Sequence, residues 1–141
     1  MNNLPDRILE MCMPIPESGC LVWLGRQEKG GYGQVWWKGK IRLIHRVSYE
    51  QAKGKIQDKM TLDHLCRVPS CINPNHLEPV TMKTNILRGN GLAGQNARKT
   101  HCNHGHPFSK ENTYITTRGE RACRECGRRS FREWYKRKLP L

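Results

Sequence analysis

Several things are missing from this chain. No apolar run approaches the roughly 18 residues of a membrane span. The opening stretch MNNLPDRILEMC carries acids and no apolar core segment, which argues against a secretory signal. Apolar residues make up only 36% of 141, too few for one large core with a deep small-molecule pocket, so one ordinary domain or two small ones are expected. Acids are scarce, 12 against 25 Lys and Arg, which leaves a formal net charge of +13. An even cysteine set is also absent. Seven cysteines without a secretory signal argue against a disulfide framework and point to a reducing cytoplasm. Four Trp and four Tyr argue against a disordered linker.

What is there is unevenly spread. Residues 1–85 hold 12 basic and 8 acidic residues, and residues 86–141 hold 13 and 4. A second part this basic points to a polyanion, most simply nucleic acid. The cysteines have metal-ligand spacing instead of disulfide spacing. Cys66, Cys71 and His76 form C-x4-C-x4-H, and Cys123 and Cys126 form C-x2-C, with Cys102, His104 and His106 upstream. Zinc takes four N or S ligands in a tetrahedron, so two structural Zn2+ sites are expected, using six of the seven cysteines.

The pattern along the chain predicts an α+β protein. A short helix is expected from Asp6 to Cys12, then a Pro-rich loop at Pro14 and Pro16. Strands are expected at Cys20 to Leu24, Tyr32 to Trp37 and Ile41 to Ile44, the last two joined by a turn at Lys38-Gly39-Lys40. A helix should run from His45 to Lys53 and stop at Gly54. Residues 61–89 read as strand (TLDHLC), two-proline loop, strand (HLEPV) and a helix capped by Thr81. Residues 90–100 are rich in Gly and Asn and read as a linker. Residues 101–141 hold the second cysteine cluster and a basic helix from Arg128 to Lys138.

Chemistry concentrates in the strand-loop-strand-helix unit. Oxygens from Asp63 and Asn85 suit a hard divalent ion such as Mg2+ or Mn2+. A neutral imidazole beside that ion, from His64, can take a proton from water. A base for the nucleophile and a cation on the leaving oxygen are what phosphodiester hydrolysis needs. Neighbouring residues on a strand face opposite ways, so Asp63 and His64 share a site only where the strand ends or twists.

The stretch DHLCRVPSCINPNHLEPVTMKTNILRG, residues 63–89, resembles the HNH endonuclease superfamily with its ββα-metal (His-Me finger) motif, and most of all its small free-standing phage and homing members. The likeness extends to GCLVWLG, GYGQVWW and IHRVSYE upstream and to CNHGHPF and RACRECGRR downstream. It implies a ββα-metal core at about 61–89 with N-terminal β-hairpin elements (residues 1–89 together), and a C-terminal zinc ribbon-like module. It also implies roles: His64 as general base, Asp63 and Asn85 as ligands of the catalytic ion, and Asn73 holding the loop and orienting the histidine. Arg46, beside His45, would hold the scissile phosphate. His76 takes the last H of the motif but is better read as a zinc ligand. The resemblance also favours Cys20 to complete the first zinc site, with Cys12 and His45 as rivals, and His106 over His104 to complete the second with Cys102, Cys123 and Cys126.

The expected activity is metal-dependent cleavage of double-stranded DNA in a bacterial or phage-infected cytoplasm. The alternatives are a non-catalytic zinc DNA-binding protein and an RNA-processing nuclease. Arg88, Arg98, Lys99, Arg121, Arg124, Arg128 and Arg129 are the expected DNA contacts, which supply affinity more than sequence reading. Monomer and homodimer both remain open, and no membrane partner is expected.

Overall fold

The computed structural model describes residues 4–139. The chain divides into two compact units between Arg88 and Gly89. No helix among the described residues is long and apolar enough to cross a membrane.

The first unit opens with α1 (Asp6–Leu9) and the antiparallel pair β1 (Cys12–Ile15) and β2 (Cys20–Trp23). The segment expected as a Pro-rich loop is thus partly a strand. Pro14 pairs with Leu21 in a two-stranded sheet, where a residue without an N–H is tolerated at an edge. Helix α1 stops short of Cys12, whose thiol donates to the Ile8 carbonyl at 3.1 Å instead. The hairpin of β3 (Gln34–Trp37) and β4 (Lys40–Leu43) turns on Lys38 and Gly39, both at positive φ, as a tight turn of this hand requires. Trp37 faces the core and Trp36 faces outward, following strand alternation. Helix α2 (Ile44–Lys53) follows directly and ends at Gly54, φ 91°.

Strands β5 (Met60–His64) and β6 (Leu77–Thr81) pair in register from Met60 with Thr81 to His64 with Leu77. Between them the chain makes one 3-10 turn, Pro74–His76, capped by the Asn73 side chain. Helix α3 (Met82–Arg88) then starts where the Thr81 hydroxyl accepts from the Thr84 N–H at 3.2 Å. The order β5, loop, β6, α3 is a ββα arrangement.

Two small cores support this unit. Leu4, Ile8, Trp23, Trp37, Ile44, Val47 and Ile72 form one, and Ile56, Leu62 and Leu77 the other. Gly33 lies so close to the Trp23 ring and Ile44 that a methyl group on it would overlap both. The loop between β5 and β6 is laced to β2. Val22 bridges Cys71, the Trp23 N–H donates to the Ser70 carbonyl, and the Ile72 N–H donates to the Leu21 carbonyl. Ser48 of α2 donates to the Ile72 carbonyl at 2.6 Å from a fully buried position.

In the second unit, the residues expected as a linker carry α4 (Leu92–Arg98). Strands β7 (Thr113–Ile115) and β8 (Arg121–Cys123) form a hairpin, and α5 (Arg124–Lys138) follows at once, four residues longer at its start than the sequence suggested. Its N-cap is Cys123, whose sulfur accepts from the Cys126 N–H. A tight knuckle at Cys102–His106 turns on Gly105, φ 79°, with the Cys102 N–H donating to the His106 carbonyl.

Candidate metal clusters and the Asp63–His64 site

Cys20, Cys66, Cys71 and His76 converge, with every ligand atom within 4.8 Å of the others. Cys20 lies at the start of β2, Cys66 and Cys71 lie in the laced loop, and His76 ends the 3-10 turn. His76 Nδ1 is 3.5 Å from the Cys20 sulfur and 3.7 Å from that of Cys71. Burial pushes the Cys71 thiol up to about 12, so an unneutralised thiolate is disfavoured there, and a bound cation is the natural way to keep the sulfur ionised. Cys12 and His45, the rival fourth ligands, lie outside the cluster.

Cys102, His106, Cys123 and Cys126 converge in the same manner in the second unit. His106 Nδ1 lies 3.3 to 3.7 Å from all three sulfurs. The His104 ring lies 3.4 Å from the Cys126 sulfur, and its backbone N–H donates to the Cys102 sulfur at 3.4 Å. The backbone N–H of Cys126 is the main reason the Cys123 thiol falls to about 6. Asn112, which the sequence reading passed over, donates to the Cys123 sulfur at 3.4 Å and accepts from the Glu125 N–H at 3.1 Å. Nothing in its sequence context signals that bridging role.

His64 is the last residue of β5 and is buried. Its Nε2 lies 3.1 Å from the Cys71 carbonyl. A carbonyl only accepts, so Nε2 carries the proton, and in the neutral ring Nδ1 keeps its lone pair. Burial holds the proton affinity of His64 below the usual range, against the opposing Cys71 carbonyl and Asp63 carboxylate. The ring packs edge-on against His45 at 4.9 Å, and Tyr32 lies 5.8 Å away. His45 is buried, its Nδ1 has no hydrogen-bond partner, and burial followed by repulsion from His64 and Arg46 lowers it to about 3. The His45-Arg46 pair opening a helix was the visible signal, but the residue that reaches His64 is His45. Arg46 is half-buried beside it.

Asp63 faces other partners. Its Oδ1 accepts from Arg67 at 2.6 Å, and Arg88 pairs with Glu78 while lying 3.6 Å from Oδ2. Oδ2 is buried without a hydrogen bond and faces the Arg88 guanidinium, so a metal ion held there would have to displace Arg88. Asn85 is half-buried on α3, and among the described residues its side chain makes no hydrogen bond. Asn73 does not reach His64. Its amide donates to the Gly19 carbonyl at 2.6 Å and accepts from the Asn75 N–H, so it holds the loop, and the carbonyl of Cys71 orients the histidine instead.

Several of the expected DNA-binding cations already have work within the fold. Arg121 donates to the Asn96 and Lys99 carbonyls and stacks on Phe108, 4.1 Å from the ring centroid. Arg98 donates to the Gly89 carbonyl and Lys99 to the Asn103 side chain. Arg124 lies over Tyr114, Arg128 pairs with Glu125, and Arg129 is 3.9 Å from Glu133.

A ββα unit with a buried Asp-His pair and two Cys/His clusters defines a class of small metal-binding proteins related to nucleases, and the HNH endonuclease family profile matches residues 42–87. The chain is 40% identical over 85 residues to Protein 2.8 of Escherichia phage T7, covering 59% of this chain and 57% of that protein. It is 32% identical over 84 residues to Protein 7.7 of the same phage, 57% and 65% of the two chains. It thus spans about three fifths of the length of these two relatives. It is 35% identical over 80 residues to the uncharacterized gene 5.3 protein of Enterobacteria phage T3, covering 52% of this chain and 79% of that one. The chain belongs to the family of this phage T3 protein and is distantly kin to the HNH endonuclease superfamily. No solved structure matches it.

Proposed function

We propose that this protein is a metal-dependent endonuclease that hydrolyses phosphodiester bonds of double-stranded DNA in a bacterial or phage-infected cell. The observation that carries the reading is the tautomer of His64. The Cys71 carbonyl holds the proton on Nε2, which leaves Nδ1 basic, and burial keeps the ring neutral near pH 7. In this reading Nδ1 takes a proton from water as the water oxygen attacks phosphorus, and the 3′ oxygen leaves. Asp63, through Oδ2 once Arg88 is displaced from it, and Asn85 are the residues that would hold Mg2+ or Mn2+, which would neutralise the phosphate and stabilise the leaving oxygen. Arg46 is suited to hold the phosphate. The two Cys/His clusters suit structural Zn2+, one in a ββα-metal core and one in a zinc ribbon-like module with its knuckle, hairpin and helix.

One observation favours a second reading, a zinc-containing DNA-binding protein without catalysis. Asp63 is already ion-paired to Arg67, as a purely structural carboxylate would be. Plasmid cleavage with Mg2+ separates the two. His64→Ala should lose about 10^2 to 10^4 in rate while retaining DNA binding and metal content. Cleavage at the wild-type rate in this variant, or none by the wild-type protein with Mg2+ or Mn2+, would overturn the nuclease reading.

A further inference from the structure

Among the described residues, helix α5 is the one helix of eight or more residues in the second unit, and none of its residues is buried. Phe131, Trp134 and Tyr135 stand on one face at i, i+3 and i+4, each about half exposed or more. The Phe131 ring lies 6.0 Å and 29° from that of Trp134 and 6.2 Å and 31° from that of Tyr135. Three large rings clustered at the surface form a patch that lone exposed aromatics do not.

Charge and composition select the occupant. The helix carries seven basic and two acidic residues, a net +5. A second copy of this chain laid on the same face would bring another +5 against the first. Between Arg124 and Lys138 there is no Leu, Ile, Val or Met, so the apolar face is three rings within two turns, a small area for anchoring in a lipid interface, where binding scales with buried apolar area. An apolar patch made of flat rings alone, with cations beside it, fits a polyanion that also offers flat faces. Arg128 and Lys138 share the ring face, at i−3 from Phe131 and i+4 from Trp134, and Lys136 and Arg137 extend the charge towards the C-terminal end.

We infer that the Phe131–Trp134–Tyr135 face of α5 is a stacking platform for single-stranded DNA. In a duplex both faces of a base are covered by its neighbours. An unpaired strand leaves them open, so rings add affinity there and little on paired DNA, while Arg and Lys track the phosphates of either form. This inference rests on DNA as the partner and deepens that reading. It names a strand state, and it requires no cleavage.

The test uses the full chain and a fluorescein-labelled single strand of mixed sequence, about twice the longest site typical of one binding module, alongside the matching duplex. Mg2+ is left out so that binding is separated from cleavage. Phe131, Trp134 and Tyr135 are each replaced by Ala, a substitution that favours helix at exposed positions. Single-strand affinity should fall by about ten- to a hundredfold, with an unchanged slope of log K against log salt. Duplex affinity should change by less than about threefold, because paired bases offer the rings no open face. A second variant, Lys136→Gln with Arg137→Gln and Lys138→Gln, should lower the slope, by about 0.7 for each phosphate no longer neutralised on the single strand. Retained circular dichroism and metal content show that the fold persists. Unchanged single-strand binding, or equal weakening on both DNA forms, overturns the inference. So does wild-type binding to anionic phosphatidylserine vesicles that the ring variant loses, or a wild-type dimer that it dissociates. Failure of cleavage with the single-strand result intact would sink the nuclease reading alone.

Discussion

His45 and His64 meet edge to face at 4.9 Å inside the first unit, where burial lowers the proton affinity of both. Two adjacent imidazolium ions in a desolvated pocket would repel each other as well as lose hydration. For His45 the proton affinity in the folded protein lies near pH 3, below the ordinary 6.5. A depressed value means that its contribution to stability is complete above about pH 6.5 and is lost as pH falls from there towards 3. The limiting slope is about 1.4 kcal/mol per pH unit for one group. His45→Phe keeps a ring in the pocket and removes the titration. Thermal denaturation followed from about pH 7 down to about pH 5 should therefore show a shallower fall for the variant than for the wild type. Acid release of metal from the thiolate clusters affects both proteins alike, so the difference between the curves isolates the histidine. Equal slopes would show that His45 is not the acid-sensitive group. At this scale the sequence made the Asp63-His64 pair visible as a candidate site. It could not show that the partner of His64 is a backbone carbonyl, because a carbonyl has no letter in the sequence.

Among the elements, those bounded by local chemistry were legible. The Lys38-Gly39 turn, the Gly54 stop and the Thr81 cap each act within a few residues. Strand β1 was hidden by Pro14, which reads as a breaker until β2 is known to leave it an edge position. Helix α4 was hidden by Gly94 and Asn96 within it and by the Asn90-Gly91 lead-in, although Leu92, Ala93, Gln95, Ala97 and Arg98 favour a helix. Its last turn is held from a distance by Arg121 of β8, which donates to the Asn96 and Lys99 carbonyls. Gly33 shows the same dependence on distant residues. It is needed for the space it leaves to Trp23 and Ile44, and its φ is unremarkable. Gly33→Ala should destabilise the first unit by about 1–3 kcal/mol through overpacking. Gly39→Ala, with open space around its Cβ but a φ of 81°, should cost about 1 kcal/mol through backbone strain alone. Denaturant titration of both variants checks this, and a larger destabilisation at Gly39 than at Gly33 would contradict this assignment of roles.

For the whole molecule, the two units and the two clusters coincide. Cys20, Cys66, Cys71 and His76 all precede the division at Arg88, and Cys102, His106, Cys123 and Cys126 all follow it. The apolar clusters Leu4 to Ile72 and Ile56 to Leu77 also lie wholly in the first unit. Each unit is small for a hydrophobic core to hold alone, and a metal site is a usual supplement at this size. A chain ending at Arg88 should therefore fold and bind one tightly held zinc ion where the full chain binds two, as read by metal analysis after dialysis. It would retain Asp63, His64 and Asn85. It would lack most of the excess charge, since residues 89–141 hold 12 basic and 4 acidic residues. Its affinity for duplex DNA should fall, and the slope of log K against log salt should become shallower by about 0.9 for each phosphate that the second unit neutralises. If the nuclease reading holds, it should still nick plasmid at high protein concentration, because the residues assigned to the chemistry are all present. A truncated chain with unchanged affinity and slope would mean that the basic second unit meets some partner other than DNA. An unfolded one would mean that the first cluster does not suffice to close its own unit.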